Sequence, residues 1–261
     1  MSTLRRARGK TNLGVRYVAQ SAANGYTLLF ADAPTITLFP LTDPTLRVDP
    51  LTELSPVGLV ARMPIALIAS SDQPPQTVAQ LIERARRLPS SINYASAGEG
   101  STSHLAGELF ALTTGAQVVH VDYNGSLAAL NAVVTGQVEL GFVPLPAVLP
   151  FIRGGKIRIV ALASSQRHPA TGNIPTFAES GVDGFDAGGW FGVFAPARTP
   201  GNIVSLLNYA LNRALAEDYL RRSFTAQGLT PAPGSADQLR AQAEADTARW
   251  RSLVKRIPVA R

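Results

Sequence analysis

A run of small and hydroxyl-bearing residues separates an apolar segment from a helical pattern, and its chemistry suits an anion. Residues 94–104 read Tyr-Ala-Ser-Ala-Gly-Glu-Gly-Ser-Thr-Ser-His, and a helical pattern begins at Leu105. Gly98 and Gly100 admit backbone conformations closed to other residues and let a ligand approach the main chain. The first N–H groups of the following helix have no intrahelical acceptors, so these donors and the helix dipole favour a carboxylate or phosphate.

Two familiar phosphate-binding loops are excluded by the spacing of these residues. No Lys follows the last glycine, as a Walker A loop requires, and the third glycine of the dinucleotide fingerprint is missing. The alternative is an ordinary capped helix in which Ser101 or Thr102 serves only as the N-cap.

A second turn of similar chemistry follows the predicted strand at 117–121. Tyr123, Asn124, Gly125 and Ser126 open another predicted helix and bring N–H groups, hydroxyls and an amide to the strand ends. Ligands of open α/β sheets bind outside the carboxyl ends of the strands. The alternative is a strand-to-helix turn that uses Asn and Gly for their backbone tolerance. Because two such turns occur in one block, the sequence favours a binding edge.

Catalytic constellations find little support in the sequence. His104 lies close to Ser101 and Ser103, but a triad needs a base positioned by an acid, and Glu99 or Asp122 would have to fill that role. No Gly-x-Ser-x-Gly elbow is present, and the carboxylates show no spacing of an acid and base pair. We therefore predict no enzyme and no catalytic residue. A serine-dependent hydrolase or transferase using Ser101 or Ser103 with His104 is the alternative.

Composition excludes several other classes. The 261 residues contain no Cys and three His, which rules out disulfides and thiolate sites and leaves little for a metal cluster, so we predict no metal and no cofactor. Four residues of one short arm, Arg5, Arg6, Arg8 and Lys10, supply much of the net charge of +6. Because the body has no basic stripe interleaved with aromatics, we expect no nucleic-acid partner.

Alternating apolar runs and helical patterns predict an α/β fold with mostly parallel sheets and helices on both faces. The predicted strands cover 26–30, 65–69, 92–95, 117–121, 138–142, 157–163 and 188–195. The predicted helices cover 78–88, 103–113, 126–135, 147–153, 204–217, 219–227 and 235–257. Glycine-rich crossings divide the chain into a discontinuous lobe I, residues 1–97 and 190–261, and an inserted lobe II, residues 98–189. Such an insertion makes a cleft and a hinge that suit a small ligand.

Two segments of the second half carry weaker signals. Trp190 and its neighbour Phe191 stand between glycines, where they line a cleft or fill a core. Thr176, Glu179 and Gly181 have the spacing of an N-cap, its capping-box partner and a helix stop, which indicates a short structural helix.

Five segments together carry a family resemblance. They read Asn-Gly-Tyr-Thr-Leu-Leu-Phe at 24–30, Asn-Tyr-Ala-Ser-Ala-Gly-Glu-Gly-Ser-Thr-Ser-His-Leu-Ala-Gly-Glu-Leu-Phe at 93–110, Val-His-Val-Asp-Tyr-Asn-Gly at 119–125, Ile-Pro-Thr-Phe-Ala-Glu-Ser-Gly at 174–181 and Trp-Phe-Gly-Val-Phe-Ala-Pro-Ala-Arg-Thr-Pro at 190–200. These segments closely resemble the Bug family, the TctC-like substrate-binding proteins of tripartite tricarboxylate transporters.

The resemblance implies a two-lobed clamshell of the type II periplasmic-binding class. It implies a monomeric, non-enzymatic protein that captures a carboxylate-bearing solute in the periplasm and presents it to the membrane permease subunits. In the family, main-chain and hydroxyl donors from loops at strand ends hold the ligand between the lobes. The ligand-binding residues predicted here are Ala33, Pro34, Gly100, Ser101, Thr102, Ser103, His104, Tyr123, Asn124, Gly125, Ser126 and Trp190.

Three features depart from the family pattern. A signal peptide and about one βα unit are expected before Gly9, where a basic arm stands instead, so we expect a truncated start or a decayed copy. Val143 stands where a polar residue is expected, and Asp32-Ala33-Pro34 replaces a more polar loop. A periplasmic location follows from the family and a cytoplasmic one from a genuine start. A non-transport sensor or a remnant of the same fold is therefore a further alternative.

Overall fold

The computed structural model describes residues 11–43, 46–71, 76–152 and 154–255. The chain divides into two compact units. The first unit contains the described residues up to Ala61, then Trp190–Arg221, then those from Pro231 onward. The second contains the described residues of Arg62–Gly189 and Arg222–Thr230. The basic arm lies outside the described residues.

Strands and helices follow each other in the order of an α/β protein, which confirms the predicted class. The strands are β1 Leu29–Asp32, β2 Leu54–Met63, β3 Ile65–Ser70, β4 Ile92–Ser96, β5 Val118–Asp122, β6 Leu140–Pro144, β7 Ile157–Ala163, β8 Gly189–Pro196 and β9 Thr230–Pro231. The helices are α1 Thr11–Ala19, α2 Ala33–Thr37, α3 Phe39–Thr42, α4 Pro50–Glu53, α5 Val78–Arg87, α6 Thr102–Thr114, α7 Ser126–Val134, α8 Leu145–Ile152, α9 Gly201–Ala216, α10 Asp218–Ala226 and α11 Ala236–Val254.

The strands form two sheets, of which the five-stranded one is mixed. One has the order β1-β8-β2-β9, with β1 antiparallel to β8. The other has the order β5-β4-β6-β3-β7; β4 is parallel to β5 and β6, whereas β3 is antiparallel to both β6 and β7. The helical connections give β4, β5, β6 and β7 a common direction. Within this described sheet only β3 runs in the opposite direction, although α5 connects it to β4.

The division of the chain differs from the predicted one in two segments. The described residues of 62–97 and residues 222–230, both expected in lobe I, belong to the second unit. For the first segment the reason is strand pairing: β3 hydrogen-bonds to β6 and β7, and β4 to β5 and β6, so this segment supplies two strands of the five-stranded sheet.

Alternating side chains of the five-stranded sheet build two cores, one on each face. Leu67 of β3 packs with α5 and α6, where Phe110 is fully buried. The next residue, Ile68, packs with α7 and α8 on the opposite face, against Leu130. Helices therefore cover both faces of this sheet, as the sequence predicts.

Trp190 belongs to the core of the first unit. Its side chain is 1 % exposed and packs in a cluster with Ile36 of α2 and Leu239 of α11. Its indole Nε1 donates a hydrogen bond to Oδ2 of Asp246, at 2.7 Å. Of the two sequence interpretations, a core residue is the one this environment supports.

In the part of the chain that the structure describes, no helix combines the length and the apolar character that crossing a membrane requires.

Gly107, in the middle of α6, should resist substitution. A Cβ at this position would fall inside van der Waals contact with the ring of the fully buried Tyr94. We predict that Gly107→Ala lowers the free energy of unfolding by about 1–3 kcal/mol, because overpacking outweighs the gain of about 1 kcal/mol in helix propensity. Gly201→Ala, which adds a Cβ in open space at the start of α9, is the matched control. Urea unfolding curves measure both, and equal midpoints would contradict this packing.

Candidate functional site

The two sequence-predicted turns lie side by side at one edge of the five-stranded sheet. Parallel pairing aligns Ser96, the last residue of β4, with Asp122, the last residue of β5. Beyond the strands, the N–H of Tyr123 donates to the carbonyl oxygen of Ser96, and the N–H of Gly125 donates to that of Ala97, both at 3.2 Å. We call residues 97–101 the first site loop and residues 123–125 the second site loop. The helices that follow them, α6 and α7, therefore start at the same edge.

Hydroxyl groups at the start of α6 fix the first site loop. Ser101 is the N-cap of α6, and its Oγ accepts the N–H of His104 at 3.2 Å. The Oγ of Ser103 accepts the N–H of Ala97 at 3.0 Å and lies 3.0 Å from the Oγ of Ser101. Ser101 and Ser103 therefore shape the loop, as the capped-helix alternative expects.

Thr102 is placed differently from its neighbours. Its side chain is half-buried, and within the described residues its hydroxyl takes part in no hydrogen bond. The N–H groups of Thr102 and Ser103 are the first two of α6, where a helix offers no acceptor of its own. This helix end retains donors for a ligand even though it is capped.

The second site loop leads into α7, whose N-terminus has no side-chain cap. Gly125 is the N-cap residue, with φ 99° and ψ 164°, a conformation that only glycine adopts readily. No side chain accepts a hydrogen bond at this cap. Asn124 is exposed, and Tyr123 and Ser126 are half-buried. The first N–H groups of α7 are therefore available to an anion.

Five polar side chains meet beneath the first site loop: Tyr94, Ser96, His104, Glu108 and His120, which we call the polar cluster. The Tyr94 hydroxyl donates to Oε1 of Glu108 at 2.8 Å, and that oxygen lies 3.8 Å from Nε2 of His104. Nε2 of His120 lies 2.7 Å from the Oγ of Ser96. Tyr94 and Ser96 are fully buried, and His104 is 4 % exposed.

The two histidines of the polar cluster stack on each other and favour the neutral form. Their ring centroids are 4.1 Å apart, with planes inclined by 23°. Burial lowers the pKa of His104 from its ordinary value, against weaker opposition from Glu99 and Asp122. Burial also lowers the pKa of His120, and the neighbouring His104 lowers it further. Burial together with Glu108 raises the pKa of Tyr94, which stays protonated.

This geometry does not assemble the triad considered in the sequence analysis. Nδ1 of His104 accepts the N–H of Gly100 at 3.1 Å, and its Nε2 faces Glu108. Among the described residues, the hydroxyls of Ser101 and Ser103 bond to each other and to main-chain N–H groups, with no bond to the imidazole. The Ser–His pair that does form, Ser96 with His120, has its serine fully buried. Sequence reasoning missed this pair because its partners are 24 residues apart.

The remaining predicted site residues lie elsewhere. Ala33 and Pro34 are buried at the start of α2 in the first unit, as is Trp190 in the core of that unit. Val143, at the position where a polar residue was expected, is fully buried in β6. The second unit thus brings together Gly100 to His104 with Tyr123 to Ser126. Across the described residues, no group of three or more His, Asp or Glu side chains could hold a metal ion.

Comparison with known proteins identifies a family. Residues 5–259 match the model described as the tripartite tricarboxylate transporter family receptor, TctC. The protein BugT of Bordetella pertussis is 35 % identical over 245 residues, which are 93 % of this chain and 75 % of the relative.

Solved structures agree with that match. The Rhodopseudomonas palustris protein Rpa4515 with adipate has a TM-score of 0.80 and 35 % identity, over 94 % of this chain and 82 % of that one. MatC from the same organism with bound malate has a TM-score of 0.76 and 30 % identity, over 94 % and 85 %.

The histidine pair should make stability depend on pH. The native pKa of each histidine lies below its value in the unfolded chain, about 6.5, so the unfolded chain binds more protons between the two values. We predict that the free energy of unfolding is highest above about pH 6.5 and falls as the pH drops through this window. The double variant His104→Asn, His120→Gln should flatten the slope of urea-derived stability between about pH 7 and pH 5.5.

His168 provides a matched control for that slope. Burial also lowers its pKa, but its Nε2 hydrogen-bonds to the carbonyl oxygen of Leu229, away from the polar cluster. His168→Asn should therefore remove only the contribution of His168 to the pH dependence of the unfolding free energy. A double variant whose slope equals that of the wild type would contradict neutral burial of the pair.

Proposed function

As the chain belongs to the tripartite tricarboxylate transporter receptor family, a family of substrate-binding proteins and not of enzymes, we propose that it captures a small carboxylate-bearing solute for such a transporter. Adipate and malate accompany two similar structures. The observation that carries the proposal is the adjacency of two helix N-termini at one sheet edge, one of them without a side-chain cap.

The proposed site binds its ligand with neutral donors. Neither site loop contains Lys or Arg; the first contains the acidic Glu99, and the acidic Asp122 directly precedes the second. A carboxylate would therefore depend on N–H groups, hydroxyls and the two helix dipoles. Such donors discriminate by geometry, because each carboxylate oxygen needs a partner that replaces its water.

The contacts divide by role. We assign ligand contact to the first N–H groups of α6 and α7, to the hydroxyls of Thr102 and Ser126, and to Asn124. Gly100, Ser101, Ser103 and His104 act indirectly, because their polar groups hold the first site loop. Gly125 and Tyr123 set the course of the second site loop. Ala33, Pro34 and Trp190 stay outside the proposed contacts, since their side chains are buried.

Location and partner follow from the family. Its members are periplasmic binding proteins, and we propose the same compartment for this chain, with the permease subunits of a tripartite tricarboxylate transporter as its partners. The hydrolase alternative predicts turnover. Calorimetric titration distinguishes the two: binding gives heat that ends at stoichiometric ligand, whereas hydrolysis of an ester probe gives continuing heat.

Removing the two protein hydroxyls assigned to ligand contact should weaken binding without unfolding the protein. We predict that Thr102→Val with Ser126→Ala weakens adipate or malate binding by about 1–3 kcal/mol, because carboxylate oxygens lose donors they cannot replace. Thr113→Val, which changes an exposed threonine at the far end of α6, is the matched control. Isothermal titration calorimetry measures the dissociation constants. Wild-type affinity in the double variant would place the site elsewhere.

A further inference from the structure

His104 forms a reciprocal pair of hydrogen bonds with the first site loop. The N–H of His104 donates to the Oγ of Ser101, and the N–H of Gly100 donates to Nδ1 of His104. This arrangement is similar to a capping box, in which the third helical residue reaches back to the chain before the helix. The usual residue there is Glu or Gln, which do not change charge near neutral pH. Here the residue is a histidine.

The tautomer of His104 follows from its partners. Because Nδ1 accepts the N–H of Gly100, the ring proton of the neutral imidazole lies on Nε2, which faces Glu108. A second proton would have to attach at Nδ1 itself. Nδ1 would then become a donor pointed at another donor, and the bond to Gly100 would break.

The surroundings oppose that second proton. His120 stacks on the same ring with centroids 4.1 Å apart, and burial lowers the pKa of both histidines. The other titratable groups near the pair are Tyr94 on β4, Glu108 on α6, Asp122 on β5 and Glu99 in the first site loop. The three carboxylates favour the charged form but are outweighed by burial.

We propose that His104 is the positioning residue of the first site loop: its neutral imidazole holds Gly100, and protonation releases the loop, so that carboxylate binding weakens in acid. The binding part of this inference rests on the proposed function. Loop release does not, since it occurs in the protein without ligand.

The first test follows the amide of Gly100 by NMR in the ligand-free protein. Between about pH 8 and pH 5, its chemical shift should titrate together with the ring of His104. The amide of Ser235 is an internal control, because it donates to Oε1 of Gln238 in the capping box of α11 and should not titrate with it. If the chemical shift of the Gly100 amide stayed constant over the pH range in which the His104 ring titrates, loop release would be overturned.

Two variants of His104 that are similar to each other in shape distinguish a positioning role of this residue from a packing role. His104→Asn places an oxygen near the position of Nδ1 and should keep the Gly100 bond without its pH dependence. His104→Leu has a similar shape but no acceptor, so its Gly100 amide should resemble the acid form of the wild type already at neutral pH. Identical Gly100 amides in the two variants would exclude the positioning role.

The second test measures the dissociation constant of adipate against pH by calorimetry. The ratio of the wild-type dissociation constant to that of His104→Asn should be constant near pH 8, and it should grow by up to about tenfold for each pH unit below the pKa of His104. The variant corrects for protonation of adipate itself. A constant ratio, or tighter wild-type binding in acid, would overturn the link to affinity.

If adipate and malate bind neither protein, the proposed function fails while the Gly100 titration still decides loop release.

The stacked pair also predicts coupled protonation. A charge on His104 opposes the charging of His120, because the two ring centroids are only 4.1 Å apart. His104→Asn should therefore raise the pKa of His120, which ring NMR measures. His120→Gln offers a nitrogen to Ser96 and should leave the Gly100 titration in place. An unchanged His120 titration in His104→Asn would contradict electrostatic coupling of the pair.

Discussion

Parallel pairing of β4 with β5 is the constraint on which the candidate site depends. It aligns Ser96 with Asp122, so both strands end at the same level and both following helices start at one sheet edge. Main-chain bonds from Tyr123 to Ser96 and from Gly125 to Ala97 continue the register beyond the strands. A shift of one residue would turn side chains to the opposite face and separate the loops. The anion binding proposed for this edge is thus a consequence of strand register and helix dipoles.

The polar cluster supports that edge from beneath. Tyr94 connects the sheet to α6 through Glu108 and through its close contact with Gly107. His104 connects α6 to the first site loop through Gly100. Each of the five side chains of the polar cluster has a hydrogen-bond partner, which low-dielectric surroundings require. The same low dielectric lowers the pKa of both imidazoles and favours their neutral form, and one of them, His104, accepts the hydrogen bond of Gly100.

Local chemistry explains what the sequence predicts well. β3, α5 and the capping box of Thr176 with Glu179 follow the expected patterns, because each depends on neighbours within a few residues. β2 was missed because Pro56 interrupts an otherwise strand-like run and the two faces are almost equally buried. The polar cluster escaped sequence reasoning for another reason: only strand register brings His120 to His104. The assignment of residues 62–97 failed likewise, since strand pairing decides it.

The most direct measurement of the central claim is a titration of the isotopically labelled protein with adipate and with malate, followed through its backbone amides by NMR. We predict that the amides of Thr102, Ser103, Ser126 and Leu127 shift first and furthest, because they are the free N–H groups at the two helix starts. Saturating shifts confined to other surfaces, with these four amides unmoved, would contradict a carboxylate site at this sheet edge.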